Sequence, residues 1–361
     1  MGLSDAKSGS GGRGGKPRRA VSINDVASRA SVSIATVSRV INRSSAVAPA
    51  TAERVQRAIN DLGYRPNLFA KGLVTSKSRV IGISMPDLHG DFFSTLMQSA
   101  DDHAYNLGYH LLVMSNSHDG KANPAANEFA RDLIDGLVTL VTESEQSPLE
   151  SLRELNFPVI VLGADVRSGN VSSISFDQEV GARQATAHLL ASTEPDRVMF
   201  VGGHKGNLDS DARLRAFAAE VRGQTGHDPD DRQIAHGEFS FDWGWSWAQE
   251  MLAGGGLEGA AVLAGNDEIA VGIVDAARDS GLSVPGDLRV VGFDDSRLCQ
   301  LLRPTLSSVR VPIREAAQRA IEAIVDRIED PSRSAESTTL VTSLVVRESS
   351  QFEGIAMNRK A

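Results

Sequence analysis

Val32-Ser-Ile-Ala-Thr-Val-Ser-Arg-Val-Ile-Asn42 decides the reading of this chain. At about 100° per residue, Val37, Val40 and Ile41 fall on one side of a helix, and Ala35, Ser38, Arg39 and Asn42 fall on the other. The first group suits burial against a small core. The second sets small and hydrogen-bonding side chains around one arginine, the surface a helix needs to lie close against base edges in a major groove.

The flanking residues supply the partners for that helix. Ser22-Ile-Asn-Asp25 places a hydroxyl cap three residues before an acid, a start signal for a helix whose apolar stripe is Val26, Ala27 and Ala30. Ala30-Ser31-Val32 leaves room only for a tight turn, and Ser33 is placed to cap the next helix. Two short helices so joined form a helix-turn-helix pattern, whose second helix reads the groove. A third helix starts at Pro49, carries Val55, Ala58, Ile59 and Leu62 on one face, and stops at Gly63. Three apolar faces suffice for a bundle of about 45 residues. Such bundles do not all bind DNA, and Arg39 alone suits any surface. What favours groove reading is that the polar face of Val32–Asn42 lacks the Glu and Lys pairs of a solvated face.

Charge is distributed in the same sense. Residues 1–80 hold fourteen Lys or Arg against four acids, a net +10, so that a whole-chain charge of −9 leaves −19 for the remainder. A basic head on an acidic body points to a polyanion partner for the head alone. At 361 residues the chain exceeds one ordinary core, and 41% hydrophobic with 23% charged residues is a folded composition. Cys299 is the only cysteine, which excludes an intrachain disulfide and a thiolate metal cluster. The sequence shows no signal-peptide pattern and no apolar run of about 18 residues, so a cytoplasmic, nucleoid-associated protein without membrane contact is expected. Residues 1–20, rich in Gly, Ser, Lys and Arg, are expected to form a disordered basic tail.

Beyond residue 80, apolar runs alternate with helical stretches. Val80–Ile83, Tyr109–Met114, Gly136–Val141, Val159–Leu162, Val198–Val201, Ala261–Leu263 and Val290–Phe293 read as strands. This is α/β patterning with parallel sheets, and the strands are too many for one sheet, so two sheets facing a cleft are expected. Pro86-Asp87, Gly265-Asn266-Asp267 and Phe293-Asp294-Asp295 stand at strand ends, where open α/β sheets hold ligands.

Asp25-Val26-Ala27, Val32-Ser33, Thr36 to Asn42, Thr51, Arg54-Val55 and Leu62-Gly63-Tyr64-Arg65-Pro66-Asn67 together resemble the headpiece of the lactose-repressor family of bacterial transcription regulators. Pro86-Asp87-Leu88, Phe92-Phe93, Arg213-Leu214, Asn266-Asp267, Val284-Pro285 and Gly292-Phe293-Asp294 resemble that family's effector domain, which is similar to periplasmic sugar-binding proteins. The resemblance implies a small all-α helix-turn-helix headpiece (residues 21–66), a hinge helix and linker (67–79), and a two-lobed α/β periplasmic-binding-protein-like effector and dimerisation domain with parallel sheets (80–361). It further implies that Ile34 and Ala35 occupy the positions that most strongly select operator bases. Both are apolar, suited to thymine methyls, which leaves Arg39 as the guanine reader. Ser33, Thr36 and Asn42 then serve phosphates or neighbouring backbone, and Ser38 is a further DNA-facing residue. In the hinge, Ala70 and Lys71 fall at the DNA, and Leu73 stands where the family wedges a leucine into the minor groove.

In the body, the resemblance places Arg213, Asn266 and Asp294 at positions that hydrogen-bond effector, with Phe93 and Phe239 as apolar walls and Asp177 beside them. Forked polar groups over an aromatic wall suit a sugar, which is favoured over purines or other metabolites. Trp243, Trp245 and Trp247 either extend that wall or pack helix on sheet, and Asp177 and Asp294 suit capping equally well. Three features depart from the family: Ala48 where a hydroxyl precedes the proline, Gly72 in the hinge, and His89-Gly90-Asp91 in place of Asn-Pro. An enzyme on the α/β body is the rival reading, but no phosphate loop, nucleophile elbow or metal-binding His-Glu-x-x-His stands in the sequence. A periplasmic solute receptor does not account for the basic head. The expected function is a non-enzymatic, cofactor-free homodimeric repressor that binds pseudo-palindromic double-stranded operator DNA under the control of a sugar or sugar derivative.

Overall fold

The computed structural model describes residues 21–42, 47–65, 77–86, 90–115, 117–118, 121–122, 133–143, 152, 155–166 and 171–352. Contacts divide the chain between Ser78 and Arg79 into two units.

In the smaller unit, α1 spans Ile23–Ala30. Asp25 N donates to Ser22 Oγ at 3.4 Å, and Ser22 N donates to Asp25 Oδ2 at 2.8 Å, so each satisfies an otherwise orphaned donor of the first turn. Ser31 ends the helix with φ +52°, turning the chain at once into α2 (Ile34–Asn42). Thr36 N donates to Ser33 Oγ at 3.1 Å, the cap of α2. The third helix, α3 (Pro49–Leu62), begins at Ala48 without a side-chain cap and closes on Gly63, whose φ is +61°. Val26, Ala27, Ala30, Val37, Val55 and Ala58 form the core, flanked by Val40, Ile41, Ile59 and Leu62. Arg54 Nε donates to Ala30 O at 2.9 Å and satisfies an α1 carbonyl from α3.

In the larger unit, β1 (Val80–Met85), α4 (Gly90–Asn106), β2 (His110–Ser115), β3 (Gly136–Leu140), β4 (Val159–Leu162) and β5 (Val171–Asp177) build the first lobe. The second lobe follows as α5 (Gln178–Leu190), β6 (Val198–Gly202), α6 (Leu208–Thr225), β7 (Ile234–His236), α7 (Phe241–Ala253), β8 (Ala260–Ala264), α8 (Asp267–Asp279), β9 (Leu288–Asp294) and β10 (Ser307–Arg310). The chain returns through α9 (Ile313–Glu329) and β11 (Ser337–Val341), then adds β12 (Ser343–Val345) to the second sheet. The first sheet runs β11-β5-β4-β3-β1-β2, with all pairs parallel. The second runs β12-β10-β9-β8-β6-β7, parallel except for β12 against β10.

Five of these strands, β5, β7, β10, β11 and β12, do not read as apolar runs. Residues 171–176 of Val171-Ser-Ser-Ile-Ser-Phe-Asp177 are buried all the same because the hydroxyls find partners on β11 and α9. Ser175 Oγ lies 3.0 Å from Thr339 Oγ1, Ser173 Oγ donates to Ser337 Oγ at 3.1 Å, and Ser172 Oγ accepts from Arg327 Nη1 at 3.0 Å. A buried hydroxyl is tolerated when it is bonded.

The chain crosses between lobes three times, near Asp177, Val311 and Thr342, and the crossings touch. Thr342 Oγ1 accepts from Gly181 N at 2.9 Å and donates to Asp177 O, tying the first crossing to the third. A Cβ on Gly181 would lie 2.3 Å from Val309 Cγ1, so glycine is what lets the second approach. Farther out, α7 and α8 meet backbone to backbone: a Cβ on Gly244 would fall 2.2 Å from Ile269 O, and one on Gly272 2.3 Å from Phe241 O.

Candidate groove-reading face and effector cleft

On the headpiece, Ser33, Ile34, Ala35 and Arg39 are exposed, while Thr36 and Ser38 are half-buried. Ile34, the first residue of α2, leaves 49% of its surface open. The arginines divide by task. Arg29 pairs with Asp61 at 3.3 Å and Arg54 holds the Ala30 carbonyl, so both brace the bundle. Arg39 is exposed and has no ion-pair partner among the described residues. Asn42 ends α2. Its side chain, together with Ala70, Lys71 and Leu73, lies outside the described residues.

In the body, the expected residues stand at the carboxyl ends of parallel strands or in the helices that follow. Asp177 ends β5, Asp294 ends β9, Asn266 follows β8 and Phe239 follows β7; Arg213 lies on α6 and Phe93 in the first turn of α4. Arg213 is the centre of the second-lobe group. It is 4% exposed, its guanidinium lies 3.8 Å from the Phe293 ring centroid, and it donates to Gly265 O and, from Nε and Nη2, to Gln178 Oε1 at 3.2 and 3.1 Å. Gln178 also bonds the Asp209 carboxylate, so one carboxamide bridges the arginine and an acid.

Four carboxyl groups, Asp209, Asp267, Glu268 and Asp294, share this neighbourhood with the Arg213 guanidinium. Burial pushes Asp294 well above the usual carboxylate range; Arg213 pulls the other way, and repulsion from Asp267, Asp209 and Glu268 adds to the rise. Burial likewise raises Asp209, against the pull of Arg213 and Gln178. Asp267 is raised by burial too, although Ser308 Oγ at 2.6 Å, Ser296 N at 2.7 Å and Cys299 Sγ at 3.1 Å all donate to it. The Cys299 thiol, buried and bonded to that carboxylate, has its pKa pushed up, which makes it inert as a nucleophile.

Some expected ligand-binding groups are already engaged. Asn266 Oδ1 accepts from Ile269 N at 2.9 Å as the cap of α8, and its Nδ2 donates to Phe239 O at 3.4 Å. Asp177 Oδ1 accepts from Val180 N at 3.2 Å and caps α5. Phe93 packs edge-on against Phe92 with ring centroids 5.3 Å apart, and the Phe239 ring lies over the bare backbone of Gly203. The tryptophans separate: Trp247 is buried in the second-lobe core, Trp243 covers Gly237 and donates to Gly202 O at 3.2 Å, and Trp245 is exposed.

The lobes approach each other at these strand ends. His204 Nε2 lies 2.8 Å from Glu143 Oε1, Leu208 N donates to Thr142 O at 2.8 Å, and Arg297 N donates to Asp91 Oδ2 at 2.8 Å. Gln178, Asp209 and the His204–Glu143 pair are absent from the sequence reading. Only Asp209 carried a signal there, its i,i+4 spacing to Arg213.

Comparison with known proteins bears on both units. Residues 22–67 match the model described as bacterial regulatory proteins, lacI family, and residues 186–350 match a periplasmic binding protein-like domain. Catabolite control protein A of Priestia megaterium is 31% identical over 306 residues, 84% of this chain and 91% of that one. Its namesake from Staphylococcus xylosus is 33% identical over 294 residues, 81% and 88% of the two chains. Among solved structures, the lac repressor dimer bound to operator and the anti-inducer ONPF superposes with TM-score 0.76 at 26% identity, covering 92% of this chain and 99% of that one. A complex of the transcriptional regulator CelR with cellobiose gives 0.65 at 26% identity, covering 91% and 99%.

Proposed function

The chain belongs to the lacI family of bacterial regulatory proteins, and from that premise we propose that it is a sugar-responsive, homodimeric transcriptional repressor whose operator contacts and effector contacts fall to the residues described above. It is a DNA-binding regulator and not an enzyme. The observation that carries the reading of its sites is the uncommitted Arg39 beside the exposed Ile34 and Ala35 at the start of a capped helix. Arg39 takes a guanine, Ile34 and Ala35 take thymine methyls, and Ser33, Thr36, Ser38 and Asn42 take phosphates or support the helix. Between a headpiece of residues 21–66 and a body of residues 80–361, a hinge of residues 67–79 brings Ala70 and Lys71 to the DNA and Leu73 into the minor groove. The duplex it binds lies in the cytoplasm, where association with the nucleoid follows from its target. No helix among the described residues is long and apolar enough to cross a membrane.

Effector binds between the lobes. Arg213 and Asp294 offer a forked donor and a paired acceptor for sugar hydroxyls, with Phe93 and Phe239 as cover for the C–H face. Asn266 and Asp177 act chiefly by holding the starts of α8 and α5 against the ligand. Closure on the ligand changes the spacing of the two hinges in the dimer, so that DNA and effector affinities are coupled reciprocally. Thermal shift of the full chain against a panel of sugars and nucleobases, cellobiose included, tests the effector class. Stabilisation by a sugar that also alters DNA retention in a gel is the expected result; stabilisation by purines and by no sugar overturns it.

A further inference from the structure

Base reading is assigned above to α2 alone, yet the headpiece surface does not stop at that helix. Asn24, Ala27 and Ser28 of α1 form one wall of an open concavity whose other wall is Ser31, Val32, Ser33 and Ile34. Asn24 is exposed, one turn before Ser28 on the same stripe, and its carboxamide makes no hydrogen bond among the described residues. The cap of α1 is supplied by Ser22 and Asp25, so Asn24 is not needed to start its own helix. The apolar Val32 and Ile34 thus stand across a gap open to solvent from a free neutral donor–acceptor pair.

We propose that Asn24 is a second base-reading residue and that the concavity it shares with Ile34 recognises an A·T-rich step of the half-site. A carboxamide matches the N6 donor and N7 acceptor of adenine, and the isoleucine side chain matches a thymine C5 methyl. The two walls therefore suit the two partners of A·T pairs. No Lys or Arg lines the concavity, so it lacks the side-chain charge with which phosphate contacts are most often made. The rival role for a residue on the first helix of this motif is a backbone contact, because that helix crosses the phosphates. A neutral carboxamide on a phosphate would weaken all sequences alike, whereas one on a base edge weakens a single position.

The test is enrichment of binding sites from a randomised duplex library by the full chain and by the N24A and N24D variants. Asn24→Ala removes both donor and acceptor; Asn24→Asp keeps the shape but not the donor. Neither touches the core or the cap, and circular dichroism confirms folding. The expected result is that one A·T position in each half-site loses about 5- to 150-fold discrimination in N24A, with neighbouring positions unchanged, and that N24D loses adenine there as well. Identical preferences in all three proteins overturn the proposal, as does a uniform loss of affinity with preferences preserved, which would place Asn24 on phosphate. The proposal rests on the DNA-binding reading of the headpiece. Failure of that reading has its own signature, since the unmodified chain would then enrich no sequence at all.

Discussion

Replacing Arg213 by methionine tests the electrostatics of the cleft directly. Arg213 is already buried, and methionine follows its apolar stem, ending about where Nε stands, so the guanidinium over Phe293 is removed without adding bulk. What disappears is a charge and three donated hydrogen bonds, to Gly265 O and twice to Gln178 Oε1. Asp209 and Asp294 lose their cationic neighbour, while repulsion from Asp267 and Glu268 remains. Removing one partner of a buried charged set costs roughly 3–5 kcal/mol. The pH dependence fixes the cause. Asp209, Asp267 and Asp294 already have folded-state pKa values above their unfolded ones, so the folded chain binds more protons there. Their contribution is fully favourable below the unfolded carboxylate pKa and is lost as pH rises through the raised values. Without the guanidinium, which lowers Asp209 and Asp294, those two rise further. The variant must therefore be most destabilised at pH 8 and recover toward the parent at pH 5.5. Urea unfolding followed by tryptophan fluorescence is suited to the measurement, because all three tryptophans lie on α7 and the headpiece contributes none. A stability gap that is equal at the two pH values, or wider at pH 5.5, refutes the argument.

Other perturbations probe other parts. Arg39→Ala is expected to weaken specific operator binding by about 1–3 kcal/mol and relax preference at one base pair; unchanged competition in a gel-shift assay rejects the assignment. Ala48→Ser supplies the cap that α3 lacks and is expected to stabilise the headpiece by about 1 kcal/mol, read as a higher melting point of its helical signal. Gly181→Ala drives a methyl into Val309 and Thr342 where the crossings meet, at a cost of about 1–3 kcal/mol in the body. Calorimetry showing a neutral effect would mean that the crossings adjust freely.

The headpiece was legible because its signals are local: caps, a tight turn and apolar stripes each lie within a few residues. Two sheets were legible from their apolar parallel strands, whose burial on both faces writes itself as continuous Val, Ile and Leu. The serine-rich strands were not, because Ser172, Ser173 and Ser175 are made compatible with burial by partners more than 150 residues away. The same limit applies to the cleft. Arg213 and Asp294 stand out in sequence, but the use of Asn266 and Asp177 as caps depends on where the strands end. Gln178 acquires its role only when α5 and α6 lie side by side.

The backbone contact between α7 and α8 bears on how occupancy of the cleft is felt elsewhere. Side chains between two helices allow small slippage by changing rotamers; at Gly244 and Gly272 there are none to change. The two helices must then travel together, as one lever with its inner end at Asn266. Phe241 and Trp245, whose backbone atoms lie nearest Gly272, carry partly exposed rings beside that contact. If effector binds beside Asn266 as proposed, Trp245 rides on the same unit as the α8 cap and its fluorescence is placed to report the movement of that unit.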